Sequence, residues 1–161
     1  MDQFVSLGAV LSRRGGTQVT AGKKWEAFEH TADLGLFIYG DSLEELFRAA
    51  AEALTEQLTG PEPVQRRAAR NVELEAESAE VLLRSWMAEL LYLYHAEGWL
   101  TAEVEFERLD ETALRAQLAG ELFDEARHEL GPEVKAVTWH RLKIERMGES
   151  GRLRATVILD V

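Results

Sequence analysis

The chain has 161 residues, 46% of them hydrophobic, and no cysteine. This size fits one domain with a substantial core, and the lack of cysteine excludes disulfides, thiolate metal sites and a cysteine nucleophile. With 18 basic and 29 acidic residues the formal net charge is −11, so we expect no strong direct nucleic-acid binding and favour a basic protein partner or cations.

The first 23 residues differ from the rest of the sequence. They contain several glycines and are locally basic at both Arg13-Arg14 and Lys23-Lys24. We therefore predict a flexible N-terminal extension over residues 1–23 and a single folded domain over residues 24–161. The chain has no apolar run of membrane-spanning length and no signal-peptide pattern at its start, so we expect a cytoplasmic protein.

Residues 25–40 predict two short strands that meet at the turn His30-Thr31-Ala32-Asp33. A histidine and an aspartate at such a turn lie at the rim of a sheet, where polar side chains can converge on a ligand. The alternative is that Asp33 only fixes the turn by accepting hydrogen bonds from nearby backbone N–H groups.

Two long helices are predicted next. Ser42 and Glu45 have the spacing of a capping box, and an apolar stripe follows as far as Leu58. Ser78 is expected to cap the second helix, which ends at Gly98. The broad apolar side of this second helix indicates that it packs centrally against a sheet.

The rest of the chain is mostly strand. A turn at Asp110-Glu111 joins two strands, the second of which we expect to end at Gly120. We predict one or two helical turns over residues 124–130, one strand over 134–146 and a last strand over 153–161. The expected fold is α+β, with a mixed β-sheet and two main helices packed on one face.

The last strand contains a candidate metal site. Asp160 lies on the opposite face from Leu159 and Val161, and next to the Val161 α-carboxylate. Two carboxylates this close repel each other unless a cation lies beside them, and a hard divalent cation prefers oxygen ligands. If this strand ends beside Asp33, then Asp33, Asp160 and Val161 form an oxygen-rich pocket; the alternative is a solvated chain end.

Other polar residues give weaker signals. Phosphate-binding glycine loops, serine-nucleophile motifs and histidine pairs at helical metal spacing are absent from the sequence. We expect His95, His128 and His140 to make surface or structural hydrogen bonds, with His128 serving its local turn. Lys135 is a candidate partner for the acidic residues or for a phosphate, and otherwise an exposed charge on a strand edge.

Four blocks of sequence together resemble the archease family, in the correct order across residues 25–161. They are His30–Gly35 with Gly40–Phe47; Leu82–Leu93 with Glu97-Gly98; Gly120-Glu121, Arg127-His128 and Glu133–His140; and Val157–Val161. Two positions depart from the family pattern: Trp139 stands where a tyrosine is common, and Arg84-Ser85 replaces a more usual apolar-acidic pair.

The resemblance implies an activating protein cofactor of the RNA ligase of tRNA splicing and RNA repair. That ligase uses GTP and manganese to join a 3′-phosphate or cyclic phosphate end to a 5′-hydroxyl. The cofactor promotes its guanylation and multiple turnover without joining RNA itself. The resemblance also implies a divalent cation, calcium, bound by Asp33 and Asp160, with the Val161 carboxylate as a further ligand. Lys135 matches a functionally important lysine, and His30 belongs to the same activation site.

Two other functions stay open at this point. One is a chaperone-like modulator of a tRNA methyltransferase. The other is a stand-alone metal-dependent enzyme, with His30 as base and Asp33 and Asp160 as ligands; the absence of nucleophile and substrate motifs argues against it.

Overall fold

The computed structural model describes residues 24–30 and 32–161. The predicted extension at residues 1–23 lies outside the described residues, so its flexibility stays a prediction. The described residues form β1 (Trp25–His30), β2 (Asp33–Gly40), α1 (Leu43–Thr59), β3 (Ala68–Glu75), α2 (Ala79–Glu97), β4 (Trp99–Leu109), β5 (Ala113–Leu122), β6 (Ala136–Val137), β7 (Lys143–Met147) and β8 (Arg152–Asp160), with a short 3₁₀ turn at Gly148–Ser150.

Both helices begin and end as the sequence predicts. The Ser42 hydroxyl accepts a hydrogen bond from the Glu45 N–H at 3.1 Å, and the Glu45 carboxylate accepts one from the Asp41 N–H at 2.8 Å. The Ser78 hydroxyl caps α2 in the same way. Gly98 ends α2 with a φ of 78°, a left-handed conformation that a residue without Cβ adopts at little cost.

The α+β class with two main helices is confirmed. The strands are divided between two sheets: one has the order β1-β2-β8-β6, with β7 also on β8, and the other has the order β3-β5-β4. Every pairing among the described strands is antiparallel, where the sequence analysis expected one mixed sheet. Short connections account for much of this, because the hairpins β1–β2, β4–β5 and β7–β8 can only reverse the chain direction.

The two helices contact each other and both sheets. Helix α1 packs on β2 and β4, and α2 packs on β4 and β6. The core therefore lies where the helices meet the sheets, and Trp86 on α2 donates its indole N–H to the carbonyl of Phe47 on α1 at 2.9 Å. Searched over the described residues, neither helix has the combination of length and apolarity needed to cross a membrane.

The prediction of one continuous strand over residues 134–146 is wrong. A turn after β6 interrupts the strand. In this turn Arg141 adopts a φ of 56°, and the Leu142 N–H donates a hydrogen bond to the Trp139 carbonyl. As a result β6 pairs with the last residues of β8, whereas β7 pairs with its first half. Hydrophobic alternation does not report such a left-handed residue.

Two smaller predictions also need correction. Strand β5 continues past Gly120 to Leu122. Residues 124–130 form one hydrogen-bonded turn and no helix: the N–H groups of Arg127 and His128 both donate to the Asp124 carbonyl. The side chains of this turn bond to β5 instead of forming an apolar helical stripe.

Candidate functional site

Strand register places Asp33 and Asp160 at the same end of the sheet. Leu34 on β2 pairs with Leu159 on β8, and Gly35 pairs with Ile158. The register stops one residue short of the two aspartates; continued by one residue, it would place Asp33 opposite Asp160, and directly opposed residues of an antiparallel pair have Cβ atoms about 5 Å apart. Leu34 and Leu159 pack with the core, so the two aspartates project from the opposite face, as strand alternation requires.

His30 completes one side of this acid pair. It pairs with Asp33 across the β1–β2 turn, and its Nδ1 lies 3.9 Å from the Asp33 carboxylate. That nitrogen is buried and has no hydrogen-bond partner among the described residues. Thr31, in the same turn, lies outside the described residues, so the alternative that Asp33 only fixes the turn stays open.

Strand β6 brings Lys135 to the other side of the pair. Ala136 pairs with Asp160, and the Lys135 N–H donates to the Asp160 carbonyl at 2.7 Å. The Lys135 side chain is exposed and makes no ion pair with another described residue. Its backbone is thus fixed against β8, while its ammonium group is available to a ligand or partner.

The donor chemistry at this rim fits a hard divalent cation. Asp33 and Asp160 supply carboxylate oxygens of the kind that calcium prefers. In the part of the chain that the structure describes, no group of three or more His, Cys, Asp or Glu side chains is placed to hold a metal. Calcium takes six to eight oxygens, so a cation held by these two aspartates needs further oxygens, such as the Val161 carboxylate, water or a partner.

Sequence reasoning missed a buried ionic cluster elsewhere in the fold. Glu121 is only 3% exposed and accepts hydrogen bonds from Arg127, from the Gln65 N–H at 2.8 Å and from His128 at 3.0 Å. Burial alone would raise the pKa of Glu121, but these hydrogen bonds and the Arg127 charge outweigh burial and lower the pKa to about 2.

The cluster fixes the chain after β5. The Nδ1 atom of His128 accepts from the Asp124 N–H at 2.9 Å, so a neutral ring carries its proton on Nε2 and donates it to Glu121. His128 therefore serves its local turn, as expected, and also a buried carboxylate. Because Glu121 and His128 are buried and bonded to each other and to nearby backbone, we assign the cluster a structural role.

A groove of about 560 Å³ lies at the Gly40 end of β2, far from the aspartates. Its walls carry both signs of charge, and one cation, Lys24, pairs with Glu52 at 3.3 Å. The groove therefore offers no uniform charge to a ligand, and the acid pair has the more specific chemistry.

Known proteins are similar to this chain in sequence and in fold. Residues 25–161 match the Archease protein family (MTH1598/TM1083). Protein archease of Pyrococcus furiosus is 41% identical over 142 residues, which cover 86% of this chain and 99% of that protein. The solution structure of Methanobacterium thermoautotrophicum protein 1598 has a TM-score of 0.71 and 38% identity, covering 85% of this chain and 98% of its own. The crystal structure of a Thermotoga maritima archease, described as a possible chaperone, has a TM-score of 0.59 and 26% identity, covering 84% and 96%.

Two antiparallel sheets that pack against a pair of helices define a class of small α+β protein. The family match and the similarity to these relatives place the chain within that class: it belongs to the archease family. The resemblance found in the sequence is therefore confirmed.

Proposed function

We propose that this protein is the activating cofactor of a GTP-dependent RNA ligase that joins 3′-phosphate and 5′-hydroxyl ends in tRNA splicing and RNA repair. In this proposal it promotes guanylation of the ligase and its multiple turnover and does not itself join RNA. Family membership supports a role of this kind. The observation that carries it is the β2–β8 register, which ends at Leu34 and Leu159 and so brings Asp33 and Asp160 to one accessible rim, beside His30 and Lys135.

The acid pair has a defined chemical use in this proposal. Asp33 and Asp160, together with the Val161 carboxylate, would hold calcium, which supplies positive charge and open coordination positions at the rim. Oxygen atoms of the ligase would complete the coordination, because the chain itself provides too few ligands. This incompleteness favours a site that works only when a partner is present.

In this proposal His30 positions the acid pair, and Lys135 adds a further contact to the partner. His30 lies against Asp33 at 3.9 Å and limits the directions in which that carboxylate can turn. The exposed ammonium group of Lys135 can donate to a carboxylate or phosphate oxygen on the partner, since its backbone is fixed by the bond to Asp160. Substrate positioning and the chemical step belong to the ligase.

The net charge supports a protein partner over free RNA. At −11 the chain repels a phosphate backbone but is attracted to the basic surface of an RNA-binding enzyme. We also propose a cytoplasmic location, which the lack of cysteine favours.

Ligation under limiting ligase tests the proposal. The cognate ligase is kept well below the RNA concentration, and product is measured with and without this protein. We expect product to exceed one equivalent of ligase only when the protein is present. Unchanged product from a demonstrably active ligase would contradict the proposal, and tight association with a tRNA methyltransferase or turnover by the protein alone would then identify the other functions.

A further inference from the structure

Trp139 is, with Tyr92, one of two large aromatic side chains that are mostly exposed among the described residues. Its side chain is 56% exposed, whereas Trp86 and Trp99 are fully buried in the core. An indole ring buries a large apolar area when it is covered. Tryptophan and arginine are also the side chains most enriched among residues that dominate protein–protein binding energy.

The ring of Trp139 is held in one place by its neighbours. The Arg84 guanidinium lies over the ring, 4.2 Å from its centroid, and its Nε donates to the Val137 carbonyl at 3.0 Å. The preceding residue is tied to β8, since Thr138 donates its hydroxyl to the Ile158 carbonyl at 2.9 Å. A ring that is already ordered loses little conformational entropy on binding.

The segment that contains Trp139 carries exposed cations, unlike the protein as a whole. Lys135, Arg141 and Lys143 are all exposed in it. Lys143 lies 3.7 Å from the Glu145 carboxylate, whereas neither Lys135 nor Arg141 forms an ion pair with any residue in the described part of the chain. Two unpaired cations in the same segment as an exposed indole are complementary to an acidic surface.

This segment borders the acid pair. The residue after Trp139 is His140, whose ring centroid lies 5.1 Å from that of His30, and His30 in turn contacts Asp33. The segment that carries Trp139 therefore reaches the edge of the acid pair through His140, while the Trp139 ring itself lies against Arg84 of α2.

We infer that the stacked pair Arg84–Trp139 is the anchor by which this protein docks on the ligase, in a pocket that accepts the indole ring and is bordered by carboxylates. The inference rests on the proposed function and adds the contact that sets affinity. A protein pocket fits better than RNA, because single-stranded RNA is bound by successive aromatic rings in a basic groove. Here Trp139 lies in the segment that reaches His30 and Asp33 through His140, and the negative charge of the acid pair repels phosphate.

The test measures ligation as the concentration of this protein is varied, for wild type and for Trp139→Ala, Trp139→Phe and Arg84→Met. We expect Trp139→Ala to raise the half-maximal concentration by about tenfold or more, the size expected when an interface anchor is removed. The plateau at saturation should be unchanged, since Asp33 and Asp160 are intact. Arg84→Met should have a smaller effect of the same kind, and Trp139→Phe should restore most of the affinity.

Tyr92→Ala is the matched control. Tyr92 on α2 is 62% exposed and makes no ring contact or hydrogen bond with another described residue, so its loss should leave the half-maximal concentration unchanged. Circular dichroism of each variant checks that the fold is kept. If Trp139→Ala is unfolded, comparison of Trp139→Phe with wild type still tests whether the aromatic ring sets the half-maximal concentration.

Three results would overturn the inference. A Trp139→Ala protein that folds and activates at the wild-type concentration would exclude the anchor while leaving the proposed function intact. Direct binding of a 3′-phosphorylated oligoribonucleotide to this protein alone, lost in Trp139→Ala, would make the segment around Trp139 an RNA site. A wild-type protein that does not activate the ligase would remove both the proposed function and the anchor.

Discussion

At the residue scale, Asp33 and Asp160 derive their chemistry from their position. Each is an ordinary aspartate at the end of a strand, and neither lies in a local metal-binding motif. The antiparallel register of β2 and β8 ends one residue before them and brings both to the same rim, and two adjacent carboxylates repel each other unless a cation offsets their charge. Their proposed role therefore depends on the pair.

Calcium affinity tests the pair directly. Replacing Asp33 or Asp160 by asparagine removes one charged ligand at nearly constant shape, so each variant should bind calcium at least about tenfold more weakly than wild type. Isothermal titration calorimetry with calcium measures this. Glu29→Gln is the control, because Glu29 is an exposed carboxylate next to His30 on the other face of β1. Equal affinity in Asp33→Asn, Asp160→Asn and wild type would exclude the proposed site.

Glu121 shows a different use of a carboxylate. It is buried, paired with Arg127 and bonded to His128, so it orders the chain and takes no part at the rim. Replacing it with glutamine removes the charge that pairs with Arg127, which keeps the longer contact to Asp124 at 3.7 Å, and we expect a loss of about 2 kcal/mol in the free energy of unfolding at neutral pH.

The same residue predicts a pH dependence. The folded pKa of Glu121, about 2, lies below the ordinary value of 4.5. The ionised Glu121 carboxylate therefore contributes its full stabilisation of the fold above about pH 4.5, and this stabilisation is lost as the pH falls toward 2. Urea unfolding at about pH 7 and about pH 3 measures the difference in free energy of unfolding between wild type and Glu121→Gln. This difference should be smaller at the lower pH. Glu125→Gln, at an exposed position in the same turn, is the control and should be as stable as wild type at both pH values. A difference between wild type and Glu121→Gln that is the same at both pH values would contradict the lowered pKa of Glu121.

At the element scale, the helices are encoded locally. The side chains of Ser42 and Ser78 satisfy N–H groups that have no partner within the helix. Gly98 allows the left-handed residue that ends α2. These features depend on residues close together in the sequence, so each helix can be predicted without knowing the rest of the fold.

Replacing Ser42 by alanine tests the N-cap. The Glu45 N–H loses its acceptor, and we expect the free energy of unfolding to fall by about 1 kcal/mol. Ser85→Ala is the matched control, because Ser85 lies inside α2 and caps nothing, and alanine favours a helix interior. Chemical denaturation of both variants measures the difference. A Ser42→Ala protein as stable as the Ser85→Ala protein would show that the cap contributes little.

Features that depend on distant residues were harder to predict. The alternation in residues 134–146 was read correctly as strand-like, but the positive φ of Arg141 that divides it has no glycine or proline to mark it. The candidate site residues were identified from the sequence, whereas their proximity required the β2–β8 register. The bonds that bury Glu121 join residues from Gln65 to His128, and no local pattern reveals that they meet.

At the scale of the whole molecule, the net negative charge and the segment around Trp139 act over different distances from a partner. In the proposed complex, the net charge of −11 would give long-range attraction to a basic enzyme, which salt screens. The stacked Arg84–Trp139 pair would give the short-range contact. The acid pair at the rim would then meet the docked partner.

Calcium binding should also stabilise the whole fold, because the proposed site joins the beginning of β2 to the end of β8. At a free calcium concentration of about a hundred times the Kd, the linkage relation gives about 2.7 kcal/mol of added stability. Thermal unfolding with and without calcium measures this, with Asp160→Asn as the variant that should show little shift. An equal calcium shift in wild type and Asp160→Asn would place calcium elsewhere.

The most direct test of the central claim is product formed per ligase in the limiting-ligase reaction, compared between wild type, Asp160→Asn and Glu29→Gln. We predict that wild type and Glu29→Gln support many equivalents of product, and that folded Asp160→Asn supports about one equivalent or less at any concentration. Full activation by folded Asp160→Asn would contradict the claim that the pairing of Asp33 and Asp160 is the working site of this protein.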